Sequence, residues 1–205
     1  MPPLFFCYDL LSILLNHGYS PLLHTVSAFA IKPYGWIERL GIFSVGLTLI
    51  GVGIVWSSWL SRRIGALFRM AGALLLLVGL GFLLIGTFNT DATSFARSWH
   101  GFIHYFTFVS VVILFPCFCL IMVLSLRRRI FNRNGIALYT GITGLIGLLF
   151  IASQLISFFK FIPFGLAERA LATVDLFWLT VAGSHITRMA REMGQLQGEP
   201  WPKQK

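Results

Sequence analysis

Along most of this chain apolar residues do not alternate with polar ones. They run on in long stretches, and the polar residues collect in the breaks between them. Five stretches are legible: Ile37 to Leu60, Ala66 to Phe88, Phe102 to Leu126, Ile136 to Phe158 and Ala170 to Thr187. A bilayer core about 30 Å thick takes about 20 helical residues at a rise of about 1.5 Å each. In lipid the backbone must satisfy its own hydrogen bonds, so each stretch is predicted to be a transmembrane helix. The predicted fold is all-α, a polytopic transmembrane helix bundle of five spans preceded by a short N-terminal segment.

That segment follows a different pattern. Leu4 to Leu15 is apolar but broken by Asp9, and at about 12 residues it is too short to span. It lacks the basic start and small-residue cleavage site of a signal peptide. It reads as an interfacial helix on the outer surface, or as the remnant of a longer first span. From Gly18 to Trp36 the chain carries Pro21, Pro33 and Gly35, which predicts a loop folded over the outer mouth of the bundle. The expected organisation is therefore residues 1–36 as an N-terminal interfacial segment and outer loop, 37–190 as the bundle, and 191–205 as a cytoplasmic tail.

Composition agrees: 57% of residues are hydrophobic and 11% charged, under half the roughly 25% charge of an ordinary soluble domain. The net charge of +9 does not point to nucleic acid, because the positive residues are sorted by side. Eleven of the 16 lysines and arginines fall around Arg62, Arg63 and Arg69, at Arg127, Arg128, Arg129 and Arg133, and in the tail with Arg188, Arg191, Lys203 and Lys205. The opposite side holds Lys32, Arg39, Arg97, Lys160 and Arg169. The positive-inside rule puts the richer side in the cytoplasm. That predicts a bacterial cytoplasmic (inner) membrane address, with the N-terminus outside and the C-terminus inside.

The acids and imidazoles fall the other way. Asp9, Glu38, Asp91, Glu168 and Asp175, with His17, His24, His100 and His104, belong to the outer half. Either these groups form a site there, or they simply collect opposite a basic anchor. Cys7, Cys117 and Cys119 are small apolar fillers with no flanking ligands. Gly65, Gly72, Gly79 and Gly86 recur every seventh residue along the second span, and predict a seam of close backbone approach that makes this helix central. Gly135, Gly141, Gly144 and Gly147 read similarly in the fourth. Pro116 is expected to kink the third span. Trp36, Trp56, Trp59 and Trp99 are expected at the interfaces, and Trp178 inside.

The densest polar run is Gly86-Thr-Phe-Asn-Thr-Asp91, followed by Arg97, His100 and His104. Asp91 is expected to cap the outer end of the second helix. His100 and His104 are four apart and share a helix face. Such a pair can chelate a metal, with Asp91 as a third ligand; the plainer account bonds one imidazole to a carboxylate and leaves the other to interfacial water. A bis-histidine haem would have to enlist His17 or His24, because His185 lies at the other end of the membrane. Glu168 and Asp175 are seven apart on one face. Asp175 lies about two turns into apolar sequence, where an ionisable group is costly. It is expected to face protein or water, paired with Arg39 or Arg97.

Several of these segments resemble a known family. Tyr19-Ser-Pro-Leu-Leu-His-Thr-Val-Ser27 and Pro33-Tyr-Gly-Trp-Ile-Glu-Arg-Leu-Gly41 look like the outer loop and second-helix start of the bacterial and archaeal membrane family called domain of unknown function 998. The stretch ending at Asp91 is similar to its Gly-x-Phe-Pro-x-Asp, His104 stands at the end of its Gly-x-x-His, and Gly165-Leu-Ala-Glu-Arg169 resembles its Gly-Leu-x-x-Arg element. The resemblance covers about residues 19 to 190. It implies that family's fold and membrane address, and no established activity. The family usually has six spans, so the first is missing or truncated here. Its Ser-Glu pair is Ser27-Ala28, which weakens a transferred catalytic role, and its proline before the aspartate is Asn89.

Two functions are expected of such a chain. One is a non-catalytic membrane component, either an accessory subunit of a larger membrane complex or a binder of lipid or another hydrophobic ligand. Its ligand- or partner-facing cluster would be Glu38, Arg39, Asp91, Arg97, His100, His104, Glu168, Arg169 and Asp175. The other is an intramembrane metal-dependent lipid hydrolase, with Ser27, Asp91, His100, His104 and Asp175 around a metal-bound water. Membrane lipids are the expected partners, bound lipid the expected ligand, and no dedicated metal is expected on the first reading.

Overall fold

In the computed structural model the described residues are 2–91, 97–129, 134–155 and 163–196. The predicted end of the fourth stretch at Phe158, and the tail from residue 197, lie outside them.

The described residues form helices and no strands. Helix α1 covers Pro2–Leu15, α2 Val26–Phe29 and α3 Gly35–Ile54. A π-helical stretch, Val55–Leu60, leads into α4, Ser61–Ile64; α5 is Ala66–Thr87, α6 Trp99–Arg129, α7 Asn134–Leu155 and α8 Phe164–Leu196. Five segments are long and apolar enough to cross a membrane: Gly35–Leu60, Ala66–Thr87, Trp99–Arg127, Gly135–Ser153 and Phe164–Arg188. The bundle turns Leu47, Phe106, Leu145 and Phe177 outward, as helices solvated by hydrocarbon do.

Neighbours in sequence pack as neighbours in space. Helix α5 lies between α3 and α6, α7 follows α6, and α8 follows α7. Helix α8 then meets α1 and α2, and α1 packs along α3. The order closes on itself, so the helices surround a central space.

The α3–α5 contact is the closest in the ring. A Cβ at Gly79 would stand 2.8 Å from Gly46 O and 2.8 Å from Ile50 N, and one at Gly72 would stand 2.6 Å from Ser57 N. Gly65 does not belong to this seam. It sits between α4 and α5 at φ 119°, where a side chain would clash with the backbone, so the seven-residue spacing there is coincidental. In α7, Gly144 and Gly147 press on Cys119 and Pro116, whereas Gly135 has open space around it. Pro116 sits inside α6 without ending it.

The arginine-rich half of the ring is filled by aromatic rings. Trp178 is fully buried. It lies edge-on to Phe118 at 5.1 Å, Phe115 at 5.9 Å and Trp56 at 6.3 Å, and its Nε1 donates to Thr140 Oγ1 at 3.0 Å. An aromatic of this size in the core has a large apolar contribution, and its one polar atom is satisfied. Trp56 is 1% exposed, so it packs into the bundle near the end of its span and does not face lipid. It lies in the π-helical stretch. Trp36 and Trp99 are exposed.

Helix α1 is not simply laid on the surface. Phe5, Asp9, Ser12 and Asn16 are all buried. They recur every three or four residues, so α1 turns one face, mostly polar, into the bundle, while Leu10 and Leu14 on the other side are exposed.

Candidate functional site

The end of the ring opposite the aromatic floor carries a buried ionic latch. Arg169, on the first turns of α8, grips Asp9 of α1 with both edges of its fork: Nε to Oδ2 at 3.0 Å and Nη2 to Oδ1 at 2.9 Å. Its Nη1 donates to Pro21 O and His24 O, both at 2.8 Å, and to Gly165 O at 3.3 Å. The guanidinium also lies 5.1 Å from the centre of the Phe29 ring. A planar, permanently charged fork suits this many acceptors, where a lysine would not.

The neighbouring residues seat the same loop. Glu168 Oε2 accepts from Val26 N at 2.8 Å, and Leu166 N donates to Leu22 O at 3.0 Å. Arg39 Nε and Nη2 donate to Ala30 O at 3.3 and 3.0 Å. A side chain at Gly165 would run into His24 O, and one at Gly35 into Ala30 O. Tyr19 stacks on His24 at 3.9 Å, with Lys32 Nζ 4.2 Å above the tyrosine ring. The segment from residue 16 to 34 is therefore a fitted plug held by α1, α3 and α8.

Glu38 is fully buried on the first turn of α3. Its electrostatic neighbours are Asp9, Arg169, Glu168 and the Ser12 hydroxyl, yet neither carboxyl oxygen is within hydrogen-bonding geometry of a partner. Three acids thus share one guanidinium. Burying a charge without a partner is costly.

Beneath the latch lies a cavity of about 110 Å³, far above the about 10–15 Å³ one water needs. Its walls come from every long helix of the ring and are mainly aliphatic and phenylalanyl, among them Val45, Val78, Val111, Phe115 and Leu176. Four polar side chains reach it: Ser27, His104, Glu168 and Asp175. Asp175 Oδ1 is buried with no hydrogen-bond partner. The pairing with Arg39 or Arg97 expected from sequence is absent: the Arg39 guanidinium is spent on Ala30 O, and Arg97 is exposed ahead of α6, away from the buried Asp175 oxygen.

Asp91, His100 and His104 do not converge. Asp91 caps the helix that follows it, not the one before. Its Oδ2 accepts from Arg97 N at 2.6 Å and Ser98 N at 2.9 Å, and its Oδ1 from the Ser98 hydroxyl at 2.7 Å. An acid is favoured there by the exposed N–H groups and the helix dipole. The Ser98 hydroxyl and backbone bonds, with that from Arg97, hold the Asp91 carboxyl below its usual range. A side chain at Gly101 would collide with this carboxylate. His104 is buried, and its Nδ1 donates to Phe88 O at 2.8 Å, a backbone carbonyl where sequence suggests a carboxylate. His100 is exposed beside the Phe88 ring. Among the described residues no three His, Cys, Asp or Glu side chains gather as a metal site. Ser27 bonds Thr25 Oγ1 at 3.2 Å.

Sequence reasoning treats Asp9 as a flaw in an apolar run. Its spacing with Ser12 and Asn16 is the signal that marks it as inward-facing.

These features define a class: a helical membrane bundle with a plugged end and a mainly apolar internal cavity that holds unpartnered acid. The chain matches the family described as "Protein of unknown function (DUF998)" over residues 1–185 and belongs to it. The match includes α1, which the resemblance read from sequence leaves out. No curated protein and no solved structure matches the chain. The segments that carry the resemblance take structural parts here. Gly165 and Arg169 seat the plug, Asp91 and Gly101 fit together at the start of α6, and His104 ties α6 to the end of α5.

Proposed function

We propose that this chain is a non-catalytic integral membrane component that holds one hydrophobic or amphiphilic molecule, a membrane lipid or a lipid-like ligand, inside its helix ring. The observation that carries the reading is the cavity. Ligand sites are concave, mostly apolar and furnished with a few polar groups, and this one is apolar with Ser27, His104, Glu168 and Asp175 at its wall. The sorting of basic residues supports a bacterial inner membrane with the arginine-rich end in the cytoplasm and the plugged end outside. Service as an accessory subunit fits the same architecture, with the ligand carried within a larger complex.

The test is photo-crosslinking in nanodiscs made with a phosphatidylcholine that carries a diazirine on one acyl chain. Adducts are expected on Val111, Phe115, Leu171 and Leu176, and are expected to vanish when Ala172→Trp fills the cavity. Adducts confined to the outward residues Phe106, Leu145 and Phe177, unchanged by Ala172→Trp, overturn the reading.

A further inference from the structure

The acids of the cavity are more specific than its hydrocarbon. Glu168, Leu171, Ala172, Asp175, Leu176 and Leu179 form one stripe of α8 along its wall. The two carboxyls are seven residues apart, about 10 Å along the axis. Glu168 is already engaged with Val26 N. Asp175 lies deeper, with a buried oxygen that bonds nothing. Among the described residues no lysine or arginine lines the cavity, and the guanidinium of Arg169 is committed to Asp9 and three carbonyls. His104, the remaining polar group of α6 on this wall, gives its Nδ1–H to Phe88 O.

We propose that the guest is a lipophilic organic cation, with its positive centre against Asp175 and its apolar body along the valine, leucine and phenylalanine walls. This rests on the ligand-holding reading above and gives the ligand a charge. A carboxylate drawn into apolar surroundings at membrane depth marks a place where an opposite charge belongs. An inorganic cation is a poor fit, since calcium takes about 6–8 oxygens and magnesium a full octahedron, whereas Asp175 looks onto hydrocarbon. Phe82, Phe108 and Phe115 line the same space, and aromatic faces attract organic cations once water is excluded. Glu168, nearer the plug, sets a second acid along the guest's path.

The test compares two probes of like size and opposite charge, tetraphenylphosphonium and tetraphenylborate, by equilibrium dialysis against purified full-length protein in uncharged maltoside micelles, with empty micelles subtracted. Tetraphenylphosphonium is expected to bind at least ten-fold more tightly. The preference should disappear in Asp175→Asn, survive in Asp175→Glu, and survive in Asp91→Asn, which removes a carboxylate outside the cavity. A second measurement needs no variant. Dicyclohexylcarbodiimide, which modifies carboxyls in apolar surroundings, should label Asp175, and tetraphenylphosphonium but not tetraphenylborate should protect it. Equal binding of both probes, blocked by Ala172→Trp, overturns the cation inference and leaves the ligand-holding reading standing. Binding of neither probe, with no lipid crosslinks in the cavity, overturns both.

Discussion

Removing Arg169 tests the latch. In Arg169→Gln the bidentate grip on Asp9 disappears, and Pro21 O and His24 O lose their donor. Side-chain exposures are 15% for Arg169 and 10% for Asp9, so water does not readily replace what is lost. Breaking one partner out of a buried ion pair costs about 3–5 kcal/mol, most of it from the charge left behind. For a domain of this size each kcal/mol is worth about 2–4 °C of unfolding temperature, so the expected loss is about 10 °C. It is read from tryptophan fluorescence on heating in mild uncharged detergent. Arg169→Lys keeps the charge and loses the fork, and should fall in between. Asp9→Asn combined with Arg169→Gln should cost at least about 1 kcal/mol less than the two single losses added, because the second change removes the stranded charge. An unfolding temperature within about 2 °C of the parent for Arg169→Gln, or strict additivity, would falsify the latch.

Other consequences are open to separate measurement. Gly79→Leu drives atoms into Gly46 O and Ile50 N and should destabilise by about 1–3 kcal/mol or more, whereas Gly51→Leu, which meets open space, should be near neutral; equal melting of the two removes the seam. Because the Asp91 carboxyl is held below its free value of 3.8, its stabilising effect is fully present above that pH and is lost as pH falls through the lower folded value. The unfolding temperatures of the parent and Asp91→Ala should therefore differ by a constant amount above about pH 5 and converge below about pH 4; a gap that widens on acidification contradicts the capping role. In a cysteine-free background, Leu23→Cys should react with a membrane-impermeant maleimide on intact cells and Arg62→Cys only after lysis; the reverse pattern inverts the proposed orientation.

The spans are legible in the sequence because hydrocarbon imposes one requirement on almost every position of a long helix, and the stretches Met70–Ile85 and Val111–Leu124 meet it with no charged residue. Much of the plug is legible in pieces, since Gly165, Arg169 and Gly35 sit in recognisable short motifs. What binds the pieces together is not. Asp9 and Arg169 are 160 residues apart, and only the closing of the ring by α8 on α1 brings them within reach. Asp91 misleads because a cap is chosen by which helix has N–H groups to satisfy, and that follows from the path of the chain, not from proximity in sequence. The cavity has no sequence signature of its own; it is the volume left between the plug and the aromatic floor around Trp178.

The most direct measurement is a cryo-electron microscopy structure of the full chain in lipid nanodiscs, with a bound antibody fragment as fiducial. Elongated density inside the ring, bounded by Val111, Phe115 and Leu176 and ending at the Asp175 carboxylate beneath an intact Asp9–Arg169 pair, is the result this account requires. A ring whose cavity is closed by its own side chains, with no density inside and Asp175 turned to the acyl chains, would contradict it.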